Sequence, residues 1–198
     1  MLKRIIATLA LALVRALLVP STALAAKKPT GLTYSTTAII SSTEPFTELP
    51  ATVGNLHYAR DQFGAICAVY DVTISGSFQY WTGGYFTTMT QQTAPQRSER
   101  CYGPELTRAI LGDVQYPALD CIAGTFNLER FTSSASVTFV GSDGSTLFDS
   151  PGLLAPVLTA TTDAQRAAIC DLAASLNRLS DKKLLAELNR LLALFSAT

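Results

Sequence analysis

The apolar residues of this chain change their period once, near Pro151 and Pro156, and that change calls for an α+β fold. From Leu32 to about Phe148, short runs rich in Val, Ile, Thr, Tyr and Phe are broken by Gly, Pro, Ser and Asp, which is the texture of strands. Strands are expected over 32–40, 52–58, 65–74, 76–82, 85–91, 121–131, 135–141 and 145–148. So many short strands predict a mainly antiparallel β-sandwich or partly closed barrel over about 32–148. A C-terminal helical hairpin follows over about 162–196. The domain organisation read from this is a β-rich domain at 32–158, with 159–198 packed on it as the helical hairpin.

Two helix starts are written into the tail. Thr162-Asp163-Ala164-Gln165 is a capping box, in which the Thr hydroxyl and the Gln side chain satisfy N–H groups that have no helical partner. It opens a helix running to about Arg178, and Ser180 is placed to cap a second helix over 181–196. The second helix puts Leu184, Leu185, Leu188, Leu191, Leu192 and Phe195 on one face, with Lys182, Asn189 and Arg190 opposite. On the first helix Ile169, Leu172, Leu176 and Leu179 form a stripe, while Cys170 points away from it beside Ala167 and Ala174. If Cys170 is bridged, the first helix must touch protein on two sides: the second helix and the β domain.

Within the strand region, Phe78 to Met89 carries the sharpest local signal. Gly83-Gly84 suits a two-residue hairpin turn, pairing Thr82 with Tyr85, Trp81 with Phe86 and Tyr80 with Thr87. Alternation then puts Phe78, Tyr80, Tyr85 and Met89 on a core side, and Trp81 and Phe86 on the other with Gln79, Thr88 and Thr90. Ser142-Asp143-Gly144 is a second hairpin turn. Residues 92–120 read as a long loop punctuated by Pro95, Pro104 and Pro117, with a short helix from Pro104 to near Gly112. Cys101 and Cys121 bracket this loop and are candidates to staple it.

The first 25 residues have the parts of a cleavable secretory signal: Lys3 and Arg4, an apolar run from Ile5 to Val19 interrupted by Arg15, and Ala23-Leu24-Ala25 as the cleavage site. Residues 26–31 then form a polar, flexible entry segment. A run this short, charged inside and followed by Pro20, does not predict a membrane span, and none is expected after cleavage. Removal of the signal leaves 12 basic against 15 acidic residues, a net charge of −3, which argues against a nucleic-acid partner. In the oxidising periplasm or outside the cell, Cys67, Cys101, Cys121 and Cys170 are expected to form two disulfides, with the connectivity open.

The residues point to no particular chemistry. His57 is the single histidine, so no histidine-rich metal site is expected, and no cofactor motif occurs. His57 with nearby Asp61 is the weak catalytic candidate, and Glu44, Glu48, Glu99, Glu105 and Glu129 are the acids from which a carboxylate pair would be drawn. Trp81 and Phe86, side by side on a Thr-rich face, are the candidate platform for a sugar ring or another protein, but the ordinary expectation for such aromatics is that the helical tail or a second sheet covers them. The expectation is an exported, disulfide-stabilised, noncatalytic binding or interaction module with a protein or carbohydrate partner. The rival is a small secreted hydrolase using His57 or a carboxylate pair. The apolar face of 181–196 offers a second surface, for a homodimer.

Overall fold

The computed structural model of the chain describes residues 31–40, 47–82, 84–91, 94–133, 135, 137–141, 143–149 and 152–197. The expected signal peptide, the entry segment through residue 30, Glu44, Gly83 and Ser142 lie outside them. In chain order the elements are β1 (Leu32–Ile40), β2 (Thr47–Arg60), β3 (Ile66–Ile74), β4 (Ser77–Thr82), β5 (Tyr85–Gln91), β6 (Gln96–Tyr102), α1 (Pro104–Leu111), β7 (Leu119–Asp120), β8 (Thr125–Asn127), α2 (Glu129–Thr132), β9 (Val137–Gly141), β10 (Thr146–Asp149), β11 (Gly152–Leu153), β12 (Val157–Thr159), α3 (Asp163–Ser175), a 3-10 turn (Leu176–Arg178) and α4 (Asp181–Ser196). The fold is α+β and its strands are antiparallel throughout the described ladders.

A curled half-barrel sheet, ordered β11-β1-β2-β3-β6, forms the body. Its longest strand changes phase midway: Leu49, Ala51 and Val53 are buried before the change, and Leu56 and Tyr58 after it. A one-residue slip would turn the later apolar residues outward. An irregularity between Gly54 and His57 absorbs the extra residue, with Asn55 in the left-handed region at φ 54°. Gly31 packs so close to this point that a Cβ on it would lie 2.3 Å from the Asn55 carbonyl carbon, so only glycine fits there.

The hollow of the half-barrel is plugged by α2. Phe131 meets Tyr58 and Tyr102 edge-on at ring distances of 5.5 and 6.1 Å. The Tyr70 hydroxyl donates to the Thr132 carbonyl, the Tyr102 hydroxyl to the Arg130 carbonyl, and Arg100 to the Ser133 hydroxyl. A second sheet, β10-β9-β5-β4, is tied to this body where Gln96 of β6 bonds Thr138 of β9, and a small third sheet, β12-β8-β7, lies against α3.

Two expectations change here. The segment 121–131 is not one strand, because the Asp120 carboxylate takes the Ala123 N–H at 2.9 Å and Gly124 turns the chain at φ +67°. Asn127 then takes the Glu129 N–H at 2.9 Å, ending β8 and admitting α2. The loop expected over 92–120 contains β6, a polar strand paired with β3 over Val72↔Gln96 to Ile66↔Tyr102. The short helix from Pro104 is present as α1. Cys101 and Cys121 do not close this loop: the disulfides are Cys67–Cys101, across β3 and β6, and Cys121–Cys170, from the end of β7 to α3.

The helical tail docks as its pattern demands. Thr162 and Gln165 form the capping box, while Ser180 precedes α4 without a side-chain capping bond. Leu184, Leu188, Leu191 and Leu192 are buried, with α4 against β1, β2 and α3. This apolar face is therefore occupied within the chain. Asn189, expected on the solvent side, instead binds β2: its side-chain oxygen accepts the Tyr58 N–H and its NH2 donates to the Tyr58 carbonyl, both at 2.8 Å. Pairing of β1 with β2 stops at Leu32↔Leu56, so Asn189 supplies what a further strand residue would have supplied.

Candidate functional site

The β4–β5 hairpin has the register its turn requires, from Thr82↔Tyr85 through Trp81↔Phe86 and Tyr80↔Thr87 to Ser77↔Thr90. Phe78 and Met89 face inward and are buried, with Phe78 edge-on to Phe139 of β9 at 5.2 Å. Tyr85, assigned to that same side, is exposed. The reason lies in the neighbouring ladder, whose last β5–β9 pair is Met89↔Gly141. Nearer its tip the hairpin runs past β9: Tyr80 is still half-buried against the core, but Tyr85, beside the turn, is in water.

On the outer side Trp81 and Phe86 form an edge-to-face pair with ring centres 4.9 Å apart. They are 60% and 66% exposed, so a large apolar area stays in water. Isolated exposed apolar residues are ordinary, whereas here two aromatic rings are packed edge to face and both left in water. The next pair on this face is Gln79↔Thr88, with Gln79 exposed and Thr88 half-buried, and one pair further on the Ser77 and Thr90 hydroxyls meet at 3.5 Å. No charged residue occurs from Val72 to Gln96, so the whole hairpin is electrically neutral.

His57 and Asp61 are committed elsewhere. The His57 Nδ1 lies 2.7 Å from the Asn55 carbonyl, which can only accept, so Nδ1 carries a proton and the ring serves the β2 irregularity. The Asp61 carboxylate takes the Phe63 and Ala65 N–H groups at 2.9 and 2.8 Å and shapes the β2–β3 turn. It also lies within 4.8 Å of the Cys67 and Cys101 sulfurs, but these are bonded to each other and offer no thiolate to a metal. Glu48, Glu99, Glu105 and Glu129 are exposed on four separate elements, β2, β6, α1 and α2.

A recess of about 420 Å³ opens between α3 and α4. Asp171, Ser175, Arg178, Glu187 and Arg190 line it, and none of the catalytic candidates does. Its charges are largely spent locally: Arg190 pairs with Glu187 at 2.6 Å, and Arg178 donates to the Ala174 carbonyl. Sequence reasoning overlooked Arg108, whose guanidinium binds Asp181 at 2.6 Å, the Leu179 carbonyl at 2.9 Å and Glu105 at 3.1 Å, a cluster that ties α1 to the start of α4. Among the described residues, no helix is long and apolar enough to cross a membrane.

No protein-family model, curated protein or solved structure matches the chain.

Proposed function

We propose that the protein is an exported, noncatalytic binding module that holds a neutral saccharide ring against Trp81 and Phe86 on the β4–β5 hairpin. The observation that carries this reading is the exposed edge-to-face pair of Trp81 and Phe86 on an uncharged ribbon. A sugar ring offers an apolar C–H face to an aromatic ring and hydroxyls to its surroundings. Gln79 and Thr88, the next cross-strand pair, supply amide and hydroxyl partners beside the rings, and the neutrality of 72–96 suits an uncharged ligand. The two disulfides agree with residence in a periplasm or outside the cell.

Trp81 is the only tryptophan, so its emission reports the site directly. Titration with neutral oligosaccharides is expected to shift or quench that emission saturably. Phe86→Ala should weaken binding by about tenfold, the scale of one aromatic contact. Trp81→Ala, followed by calorimetry, should abolish it. Neutral oligosaccharides that leave the emission unchanged, or binding that survives Trp81→Ala, would overturn the assignment. Turnover of a substrate that is lost in His57→Ala would favour the hydrolase instead.

A further inference from the structure

We infer that the free edge of β4 pairs with the β4 edge of a second copy, antiparallel and two-fold about Gln79, joining two four-stranded sheets into one. This inference concerns the backbone edge and does not depend on what binds the ring face. β4 is the terminal strand of its sheet, with β5 on one side and no strand of the described residues on the other. Since Thr82↔Tyr85 closes a tight hairpin, Thr82, Tyr80 and Phe78 turn their N–H and C=O groups toward β5. Ser77, Gln79 and Trp81 therefore present theirs outward, and no hydrogen bond within the described chain occupies that edge.

Exposed edges of this kind are normally blocked by charge, proline or brevity. The other edges follow that rule: β6 carries Arg97, Glu99 and Arg100, β10 carries Asp149, and β7, β11 and β12 are two or three residues long. β4 has six residues, Ser-Phe-Gln-Tyr-Trp-Thr, with neither charge nor proline. An uncharged strand can face its own copy without placing like charges opposite each other.

Two-fold pairing at Gln79 is also sterically apt. It sets Gln79 opposite its counterpart and Trp81 opposite Ser77 of the second copy, so that each bulky indole faces a small exposed hydroxyl residue. Tyr80 would lie opposite Phe78 on the other face. The hairpin beyond Met89↔Gly141 is a two-stranded ribbon, marginal by itself, and a second copy supplies its third strand. The contact is isologous and closes as a dimer, because each copy uses its single β4 edge.

The test is sedimentation of the full secreted protein at micromolar concentration, with near-ultraviolet circular dichroism to verify folding. Wild type is expected to sediment as a dimer. Gln79→Lys, which sets two ammonium groups face to face at the two-fold, should weaken the dimer by at least about tenfold while leaving a folded monomer. Mixing Gln79→Lys with Gln79→Glu should restore a mixed dimer, an outcome that general damage to the hairpin cannot produce. A monomeric wild type would overturn the inference, as would a dimer that Gln79→Lys leaves intact or a mixture that stays monomeric.

Discussion

Tyr34, Tyr58 and Tyr70 show how finely one side chain's surroundings divide residues of the same type. All three are held against ionisation by burial, which pushes Tyr34 up to about 12 from an ordinary value of 10.0, the Thr132 hydroxyl acting against it. Tyr58 and Tyr70 are raised by the same cause, with Tyr34 as a further contribution. An unfolded tyrosine gives up its proton near pH 10, so between 10 and 12 the folded chain binds more protons than the unfolded one. The stability this contributes is complete below the lower value and is lost as pH rises through the upper. Urea unfolding across that range should show a falling midpoint, and Tyr34→Phe should flatten the fall. Hydrogen bonding separates the other two: the Tyr70 hydroxyl donates to Thr132, whereas the buried Tyr58 hydroxyl has no partner among the described residues. At neutral pH Tyr70→Phe is therefore expected to cost about 1 kcal/mol, while Tyr58→Phe costs nothing or stabilises slightly. His57 teaches a similar lesson, since a lone histidine invites a catalytic reading and its bond to the Asn55 carbonyl could not be foreseen from spacing.

Elements are joined repeatedly by side-chain amides that stand in for backbone. Asn189 of α4 completes the edge of β2 at Tyr58, and Gln96 does the same for β9, accepting the Thr138 N–H at 2.8 Å and donating to its carbonyl at 3.2 Å. Gln165, 1% exposed, accepts N–H groups from Thr161 and Thr162 and donates to the Leu194 carbonyl, tying the start of α3 to the end of α4. Each amide carries both a donor and an acceptor, which is what an open strand residue or helix end lacks. Asn189→Ala should lower unfolding stability by about 2–4 kcal/mol, because it orphans two backbone groups at once. Hydrogen exchange at the Tyr58 amide should accelerate more than at its neighbours, which a simple loss of helix packing would not produce. The capping box and the leucine face of α4 were legible because they follow local periodicity. Asn189 was not, since an amide on a polar helix face looks the same whether it meets water or a strand. β6 was hidden for a related reason: Gln-Arg-Ser-Glu-Arg-Cys-Tyr has no apolar alternation, and only its partner β3 makes it a strand.

Across the whole molecule the disulfides join parts that are distant in sequence. Cys67–Cys101 fastens β6 to the half-barrel, and Cys121–Cys170 fastens α3 to the turn after β7, where Arg166 also donates to the Ile122 carbonyl. Cys170 thus holds one flank of α3 while Ile169, Leu172 and Leu176 are buried on the other, the two-sided contact its helical phase required. If the chain is exported, mass analysis of the secreted protein should place its first residue near Ala26. Nonreducing peptide mapping should recover the two linked pairs and no free thiol. An intact residue 1, or alkylation of any cysteine, would count against export into an oxidising compartment. The α+β class, the hairpin register of Trp81 and Phe86 and the two C-terminal helices were determined by sequence alone, because turns, caps and periodicity act over a few neighbouring residues. The cysteine pairing, the strand at Gln96–Tyr102, the tasks of His57 and Asn189 and the exposure of the Trp81 face were decided only by tertiary structure. Each depends on which distant segment comes to lie alongside, and short-range pattern carries no information about that.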